Sequence, residues 1–503
     1  GSWLVLADPD HLGPALVARL LARGDRARLV VPGRDFAAPE HGPWQLDPDA
    51  PAHFDRLLAE ARRDGPLRGV LHLASLAATP TAHTTLDSLA AAETLGPVAA
   101  LHLTQALVRA RSPARLWLVT RGAQPVADEG PALAIAQAPL WGLGKTLAVE
   151  HSEHWGRLVD LDPAHPPDDP DALLAELDAS DDEDFVALRH GQRHVARLVR
   201  LTAPDLPASP LTLAADRSYL VTGGLGGVGL QIASWLVDRG ARHLVVLGRR
   251  ALPPRATWDA LPPGSEAWTR VAAVRALEAR GAAVDDVAAD VADPEQLAAV
   301  LTSLRARGRR LAGVVHAAGV SAPALLVDTT AADMRALARP KLAGTWNLAA
   351  LTRDDHLDFF ACFSSAAAVW GASGLGPYAA ANHFLDAAVH VLRARGVPAL
   401  AVNWGGFAGG GMATAEVQRA AAAMGLGMVP APQMLEALDA FIQTGATQIT
   451  LGPIDWRIFK PLFEVRRRRP MMARIEVAPD PTDAPSGFAR ELAACRSEER
   501  RVG

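Results

Sequence analysis

The chain has 503 residues, and at roughly 150 residues per domain this length predicts two or three domains. Hydrophobic residues make up 49% and charged residues 21%, a balance typical of soluble globular proteins that excludes disordered and fibrous classes. The formal charge of −5 provides no overall basic field, so we expect neither nucleic acid nor a membrane as a main partner. No apolar run reaches the roughly 18 to 20 residues of a membrane span.

The cysteine content is also informative. The two cysteines, Cys362 and Cys495, cannot form a disulfide framework or a cysteine-based zinc site, which fits a reducing compartment. We therefore expect a cytoplasmic protein without a metal.

Short apolar runs followed by amphipathic helical stretches occur in two successive series, a pattern typical of a parallel sheet covered by helices. The first series has runs at 3–7, 28–31, 69–75 and 116–120, and the second has runs at 218–222, 243–247, 313–319 and 359–363. The sequence therefore predicts an α/β fold made of two related, doubly wound Rossmann-like subdomains.

Two stretches predict the boundaries. The proline-rich segment 203–210 cannot continue a helix, and a second segment rich in Pro, Asp and Ala occupies 478–485. We predict one subdomain at 1–210, another at 211–462 and a linker at 463–503. The four arginines at 466–469 are interpreted as linker or surface charge rather than as a phosphate site.

A glycine-rich turn follows the first apolar run of the second series. Its glycines allow a tight turn and bring backbone N–H groups close to a pyrophosphate at the start of the next helix. The predicted cofactor-binding residues of this turn are Thr222, Gly223, Gly224, Leu225, Gly226, Gly227, Val228 and Gly229. The corresponding stretch 7–13 of the first series has one glycine, two carboxylates and a proline, so the first subdomain is not expected to bind a nucleotide.

Two arginines, Arg249 and Arg250, come directly after the second run of the second series. An NAD enzyme places an acidic residue there for the ribose hydroxyl, whereas arginine suits the 2′-phosphate of NADP. The pair therefore predicts NADPH, although an arginine pair can also be ordinary surface charge. Asp290 and Val291, after the third run, are predicted to hold the adenine.

The candidate catalytic residues lie in the second half. Tyr378, one of only two tyrosines, precedes Asn382 by four residues, which places both on one face of a helix. Ser365 lies thirteen residues before Tyr378 at the end of a predicted strand, and Lys341 lies on the preceding helix. Each residue alone has an ordinary structural interpretation, but their joint spacing behind a dinucleotide loop favours a catalytic one.

This arrangement resembles the short-chain dehydrogenase/reductase superfamily, and specifically the ketoreductases of modular polyketide synthases. In these ketoreductases lysine and asparagine exchange places relative to the usual Tyr-x-x-x-Lys members. The resemblance extends to the segments 315–319 and 403–412, and the first half resembles the family's non-catalytic structural subdomain. It implies that Ala317, Ala318 and Gly319 contact the cofactor.

The resemblance implies NADPH-dependent reduction of a β-ketoacyl thioester. Hydride delivery builds negative charge on the ketone oxygen, so the site needs a proton donor and hydrogen-bond donors. Tyr378 would give the proton, Ser365 the second contact, and Lys341 would lower the tyrosine pKa while binding the nicotinamide ribose. Asn382 would position Lys341 or a water. The implied partners are an acyl carrier protein with a phosphopantetheine-linked chain and the other domains of the same module.

Family motifs also imply a stereochemical outcome. The position of an aspartate-bearing Leu-Asp-Asp motif reads Ser-Ala-Pro at 321–323, and Trp370 stands eight residues before Tyr378. This combination implies an A-type enzyme that makes the L-β-hydroxy product, with the indole beside the cleft. Leu375 stands where histidine accompanies α-epimerisation, so no inversion is expected, and Met412 is a further candidate for substrate contact.

Two alternatives remain open. A reductively silent structural or epimerising relative is disfavoured because Lys341, Ser365, Tyr378 and Asn382 are all present. A free-standing reductase is disfavoured by the fused first half and by the trailing linker, which such an enzyme does not need.

Overall fold

The structure is a computed structural model that describes residues 1–7, 12–63, 65–126, 133–164, 170–201, 209–408 and 414–477. The first half contains an eight-stranded sheet of β1 (Ser2–Leu6), β2 (Arg26–Pro32), β3 (Trp44–Leu46), β4 (Leu67–His72), β5 (Arg115–Arg121), β6 (Trp155–Leu161), β7 (Phe185–Arg189) and β8 (Gln192–Val195). Its helices are α1 (Leu12–Ala22), α2 (Pro51–Arg63), α3 (Leu86–Glu93), α4 (Ala99–Arg109), α5 (Pro139–Glu150) and α6 (Pro170–Asp178).

The second half contains β9 (Ser218–Thr222), β10 (His243–Gly248), β11 (Ala283–Ala288), β12 (Leu311–His316), β13 (Phe359–Ser365), β14 (Ala399–Trp404), β15 (Gly406–Phe407), β16 (Met428–Val429) and β17 (Gln448–Leu451). Its helices are α7 (Gly227–Asp238), α8 (Glu266–Ala279), α9 (Pro294–Ala306), α10 (Ala331–Leu351), α11 (Ala367–Trp370), α12 (Gly376–Ala394), α13 (Ala415–Ala423), α14 (Ala431–Thr444) and α15 (Trp456–Phe463).

The two large sheets have the same topology. Their strand orders are β3-β2-β1-β4-β5-β6-β7-β8 and β11-β10-β9-β12-β13-β14-β17. In each sheet the order in which successive strands are added reverses beside the first strand. Both are parallel except for the antiparallel β7–β8 pair at one edge. β1 and β9 are buried at every position because helices cover both faces. The predicted α/β fold with two Rossmann-like subdomains is confirmed.

The two halves pack together through α5 and α12. A Cβ added at Gly142 on α5 would lie 2.2 Å from the main-chain oxygen of Ala379 on α12, so only glycine permits this close backbone approach. Leu326 and Trp370 from the second half are buried in the same hydrophobic cluster as Trp141 from the first half. The position of α12 therefore depends on the first half.

The chain after β17 returns to the first half. Phe459 and Met472 are buried in the cluster that contains Trp141. Arg469 is 4% exposed and donates to Asp184 at 3.2 Å, so this arginine of the 466–469 run is buried in an ion pair rather than solvated. The boundaries at 210 and 462 stay predictions. None of the helices in the described ranges is long and apolar enough to cross a membrane.

Candidate active site

The glycine-rich turn connects β9 to α7 at the carboxyl edge of the second sheet. Gly223 has a φ of +70°, in the region that favours glycine. A Cβ added at Gly229 would lie 2.3 Å from the main-chain oxygen of Gly223, so the start of α7 lies directly against the turn. Thr222 and Gly224 lie behind this surface, where Thr222 is buried and a Cβ added at Gly224 would lie 2.5 Å from Val246.

A cleft of about 430 Å³ opens above this turn. Its lining consists of Gly223, Leu225, Gly226, Gly227, Val228, Gly229, Gly248, Arg249, Arg250, Arg270, Ala317, Gly319, Lys341, Phe363, Ser364, Tyr378 and Phe407. A second cavity of about 140 Å³ shares Gly223, Gly248, Arg249 and Gly319 with it and is also lined by Asp290, Val291 and Ala318. The two cavities form a groove across the switch point of the sheet, where nucleotides bind in such folds.

One part of the groove is basic. Arg249 and Arg250 are exposed directly after β10. Arg270 on α8 lines the same cleft, with Glu266 as its ion-pair partner at 2.5 Å. Arg270 was not predicted from the sequence because it lies twenty residues after Arg250, on a helix whose pattern does not single it out. Three arginines beside a glycine turn fit an anionic dinucleotide.

The predicted adenine residues lie beside the smaller cavity. Asp290 accepts hydrogen bonds from the Arg339 guanidinium and, at 2.9 Å, from the backbone N–H of Ala292. The Asn347 amide donates to the main-chain oxygen of Val291 at 3.1 Å. These contacts hold the 290–292 turn in place at the edge of the cavity.

Lys341 reaches the other part of the groove from α10. Its side chain is buried, and Nζ donates to the main-chain oxygen of Phe363 at 2.8 Å. Nζ also lies 5.9 Å from the ring centre of Tyr378. Burial lowers the lysine pKa to about 8, while the nearby Cys362 and Asp386 oppose this shift.

Tyr378 lies in the first turn of α12, with Ser365 at the end of β13 and Asn382 one helical turn further on. Burial raises the pKa of Tyr378, whereas hydrogen bonds with the side chains of Asn382 and Ser365 lower it. Asn382 is fully buried and its Nδ2 donates to the main-chain oxygen of Tyr378 at 2.7 Å. The structure thus brings together Lys341, Ser365, Tyr378 and Asn382.

Ser364 also belongs to this site and was missed from the sequence. It lines the cleft, and its Oγ donates to the main-chain oxygen of Asn382 at 3.2 Å and accepts from Asn403 at 2.9 Å. The sequence feature that could have indicated Ser364 is the pair of adjacent serines at the end of β13. Because the side chains of neighbouring strand residues point to opposite faces of the sheet, the pair places a hydroxyl on each face. Phe363 and Phe407, with ring centres 6.3 Å apart, add an aromatic wall.

Two histidines near the site are buried. His316 Nδ1 pairs with the Thr222 hydroxyl at 2.6 Å, and burial lowers its pKa to about 3, so this ring is neutral. His383 contacts Gln124 of the first half at 2.9 Å. Within the described ranges no group of three or more His, Cys, Asp or Glu residues could hold a metal ion.

The candidate stereocontrol residues occupy different environments. Trp370 is 5% exposed, and its ring centre lies 5.5 Å from that of Phe459 on α15. It packs in the core and, among the residues that the structure describes, is not one of those that line the cleft. Leu375 pairs with Ala324 just before α12. Met412 lies outside the described residues.

Two family models match the chain. Residues 6–198 match the Rossmann fold domain of the polyketide synthase extender module SpnB, and residues 217–409 match the KR domain. The chain is 35% identical over 519 aligned residues to polyketide synthase GfsA of Streptomyces halstedii, covering 100% of this chain and 6% of GfsA. It is 40% identical over 384 residues to erythronolide synthase EryA3 of Saccharopolyspora erythraea, covering 75% of this chain and 11% of EryA3. The chain therefore spans only a small part of these relatives.

Solved structures resemble nearly the whole chain. An A1-type ketoreductase superposes with a TM-score of 0.78 at 33% identity, covering 94% of this chain and 93% of that one. A C2-type ketoreductase from a modular polyketide synthase also reaches 0.78, at 28% identity and 95% and 97% coverage. The chain therefore belongs to the ketoreductase domains of modular polyketide synthases, which are oxidoreductases of the short-chain dehydrogenase/reductase superfamily.

Proposed function

We propose that this ketoreductase uses NADPH to reduce a β-ketoacyl thioester, carried by an acyl carrier protein, to the L-β-hydroxyacyl thioester. The supporting observation is that Lys341 and Tyr378 line a groove that also contains the glycine turn and three arginines, with Ser365 and Asn382 in hydrogen-bond contact with Tyr378. A reductase needs both parts, one for an anionic dinucleotide and one for proton transfer.

The residues present fit NADPH. The absence of side chains at Gly223 and Gly229 leaves backbone surface open to a pyrophosphate, and Arg249 and Arg250 would bind the 2′-phosphate. Asp290 and Val291 would hold the adenine, while Ala317, Ala318 and Gly319 would line the middle of the groove. When bound, NADPH supplies the hydride.

The protein's own residues manage the proton. As negative charge develops on the ketone oxygen, the Tyr378 hydroxyl donates its proton there and Ser365 donates a hydrogen bond. The Lys341 ammonium favours the resulting phenolate. Among the described residues, Asn382 Oδ1 is buried without a hydrogen-bond partner, so it is available to accept from a water that returns a proton to Lys341.

The L product follows from the family motifs. Trp370 and the Ser-Ala-Pro at 321–323 match the A type, and Leu375 replaces the histidine that accompanies α-epimerisation. We infer the L configuration from these sequence motifs and not from the superpositions, because an A1-type and a C2-type structure superpose with the same TM-score of 0.78. The carrier protein and the other domains of a module are the proposed partners, since GfsA and EryA3 are synthases far longer than this chain.

Cofactor oxidation with a carrier-bound β-ketoacyl thioester tests the proposal. We expect turnover with NADPH, much weaker turnover with NADH, and a loss of roughly 10²- to 10⁴-fold in Tyr378→Phe. Tyr219→Phe is a matched control, because Tyr219 is buried in the core, where its hydroxyl accepts from the Ala214 backbone N–H at 2.9 Å. Binding of NADPH without turnover would instead favour a silent or epimerising domain.

A further inference from the structure

We propose that Glu150, the last residue of α5, is a positioning residue that determines how the acyl thioester enters the cleft. Its carboxylate bridges two segments beside the active site, which we call the mouth loops: residues 321–326 after β12 and residues 371–375 before α12. This inference rests on the proposed function, and it gives the non-catalytic half a specific part in substrate selection.

The carboxylate makes one hydrogen bond to each side of the mouth. Oε2 accepts from the backbone N–H of Leu326 at 2.7 Å, at the end of the first mouth loop. Oε1 accepts from the backbone N–H of Gly374 at 2.7 Å, in the second. The loops also meet directly, because the Ala324 N–H donates to the main-chain oxygen of Gly374 at 2.9 Å. Glu150 therefore fixes the spacing between the loops.

Two further side chains of the first half support the same region. Gln105 on α4 donates to the main-chain oxygens of Leu326 and Thr329 at 2.8 and 2.7 Å. Lys145 on α5 donates to the main-chain oxygen of Ala368, on α11, at 2.9 Å. In all these contacts the first half supplies the side chain and the second half supplies only backbone atoms. The loops are thus held whatever side chains they carry.

The mouth loops are connected to the reacting groups. The first loop begins two residues after Gly319, which lines the cleft, and the second leads within three residues to Tyr378. A thioester that reaches Tyr378 is oriented by these loops. Displacement of reacting groups by about 1 Å can reduce the rate by about 100-fold, so loop spacing should affect the orientation of the ketone more than cofactor binding.

The cofactor surface is separate from the clamp. The arginines and the glycine turn lie on the β9–β10 side of the sheet, whereas the Glu150 carboxylate accepts from Leu326 and Gly374. Loss of the clamp should therefore raise KM for the thioester and mix the stereochemistry of the product while NADPH affinity stays constant. A general loss of structure would change all three.

The test compares E150A, E150Q and E150D with the control E153Q in the full chain. Glu153 has a 60% exposed side chain and contacts His151 at 3.4 Å, so its substitution should resemble wild type. For E150A, which removes both charge-assisted hydrogen bonds, we expect a KM increase of about tenfold or more. We also expect a lower diastereomer ratio and faster amide hydrogen exchange in both mouth loops. E150Q should lie between, and E150D should recover part of the selectivity.

Separate outcomes overturn separate claims. If wild-type protein oxidises no NADPH with any carrier-bound ketone, the proposed function fails. If amide exchange in both loops of E150A matches wild type, the clamp is overturned whatever the activity. If exchange rises but KM and the diastereomer ratio stay at wild-type values, the role in substrate entry is overturned. E150Q gives the same readouts if E150A does not fold.

Discussion

The Nζ of Lys341 lies 5.9 Å from the ring centre of Tyr378 while donating to the main-chain oxygen of Phe363 at 2.8 Å. The ammonium is thus held by β13, the strand that ends at Ser365, and faces the tyrosine that α12 supplies. Helix α10, strand β13 and helix α12 thus define one proton-transfer site.

This relationship predicts a pH dependence. Burial lowers the pKa of Lys341 to about 8, so the side chain is cationic below that pH and neutral above it. Because the cation favours the tyrosinate, kcat/KM for reduction should fall as pH rises through about 8. The measurement is kcat/KM across pH in wild type and Lys341→Met, where we expect a loss of roughly 10²-fold or more and no inflection of this origin. An identical inflection in both proteins would contradict the assignment.

Arg249 and Arg250 should determine cofactor preference. Removing one charge-assisted contact to the 2′-phosphate should weaken NADPH binding by about 10- to 100-fold and leave NADH binding nearly unchanged. Titration of cofactor fluorescence with Arg249→Ala and Arg250→Ala measures both. Arg353→Ala, an exposed arginine after α10 and away from the cleft, is the control. Equal losses for both cofactors would refute a phosphate-binding role.

Gly142 tests the dependence of the catalytic helix on the first half. In Gly142→Ala the new methyl group would lie 2.2 Å from the main-chain oxygen of Ala379, next to Tyr378, so α5 and α12 must separate. We expect the free energy of unfolding to fall by roughly 1–3 kcal/mol, and kcat to fall as well. Gly96→Ala, whose nearest neighbour would be 3.9 Å away, provides the control in denaturant unfolding and turnover. Wild-type stability in Gly142→Ala would show that the helices can adjust freely.

Trp370 distinguishes packing from stereocontrol. Because the indole is buried against Phe459, Trp370→Ala should reduce the free energy of unfolding by about 3–5 kcal/mol, and Trp370→Phe by less. If the residue also orients α11 beside the cleft, the diastereomer ratio of Trp370→Phe should fall although the protein remains folded. Thermal unfolding and chiral chromatography on the same samples measure the two effects. An unchanged ratio would leave Trp370 with packing alone.

The fold could be predicted from the sequence because its signals are local. The turn between β9 and α7, the end of β13 at Ser365 and the shared helix of Tyr378 and Asn382 each depend on residues close in the chain. Contacts between distant residues could not be predicted in this way. The packing of Trp370 on Phe459 joins two distant elements of the second half, and the bonds from Glu150 to Leu326 and Gly374 join the two halves. Periodicity contains no information about such pairs.

The most direct test of the proposed reaction is product analysis. Purified protein would be mixed with NADPH and a carrier-bound racemic 2-methyl-3-ketoacyl thioester, and the hydroxy products would be resolved by chiral chromatography. We predict NADPH oxidation matched by formation of an L-3-hydroxy product, lost in Tyr378→Phe. A D-hydroxy product would contradict the stereochemical assignment, and bound NADPH with no product would contradict the reductase itself.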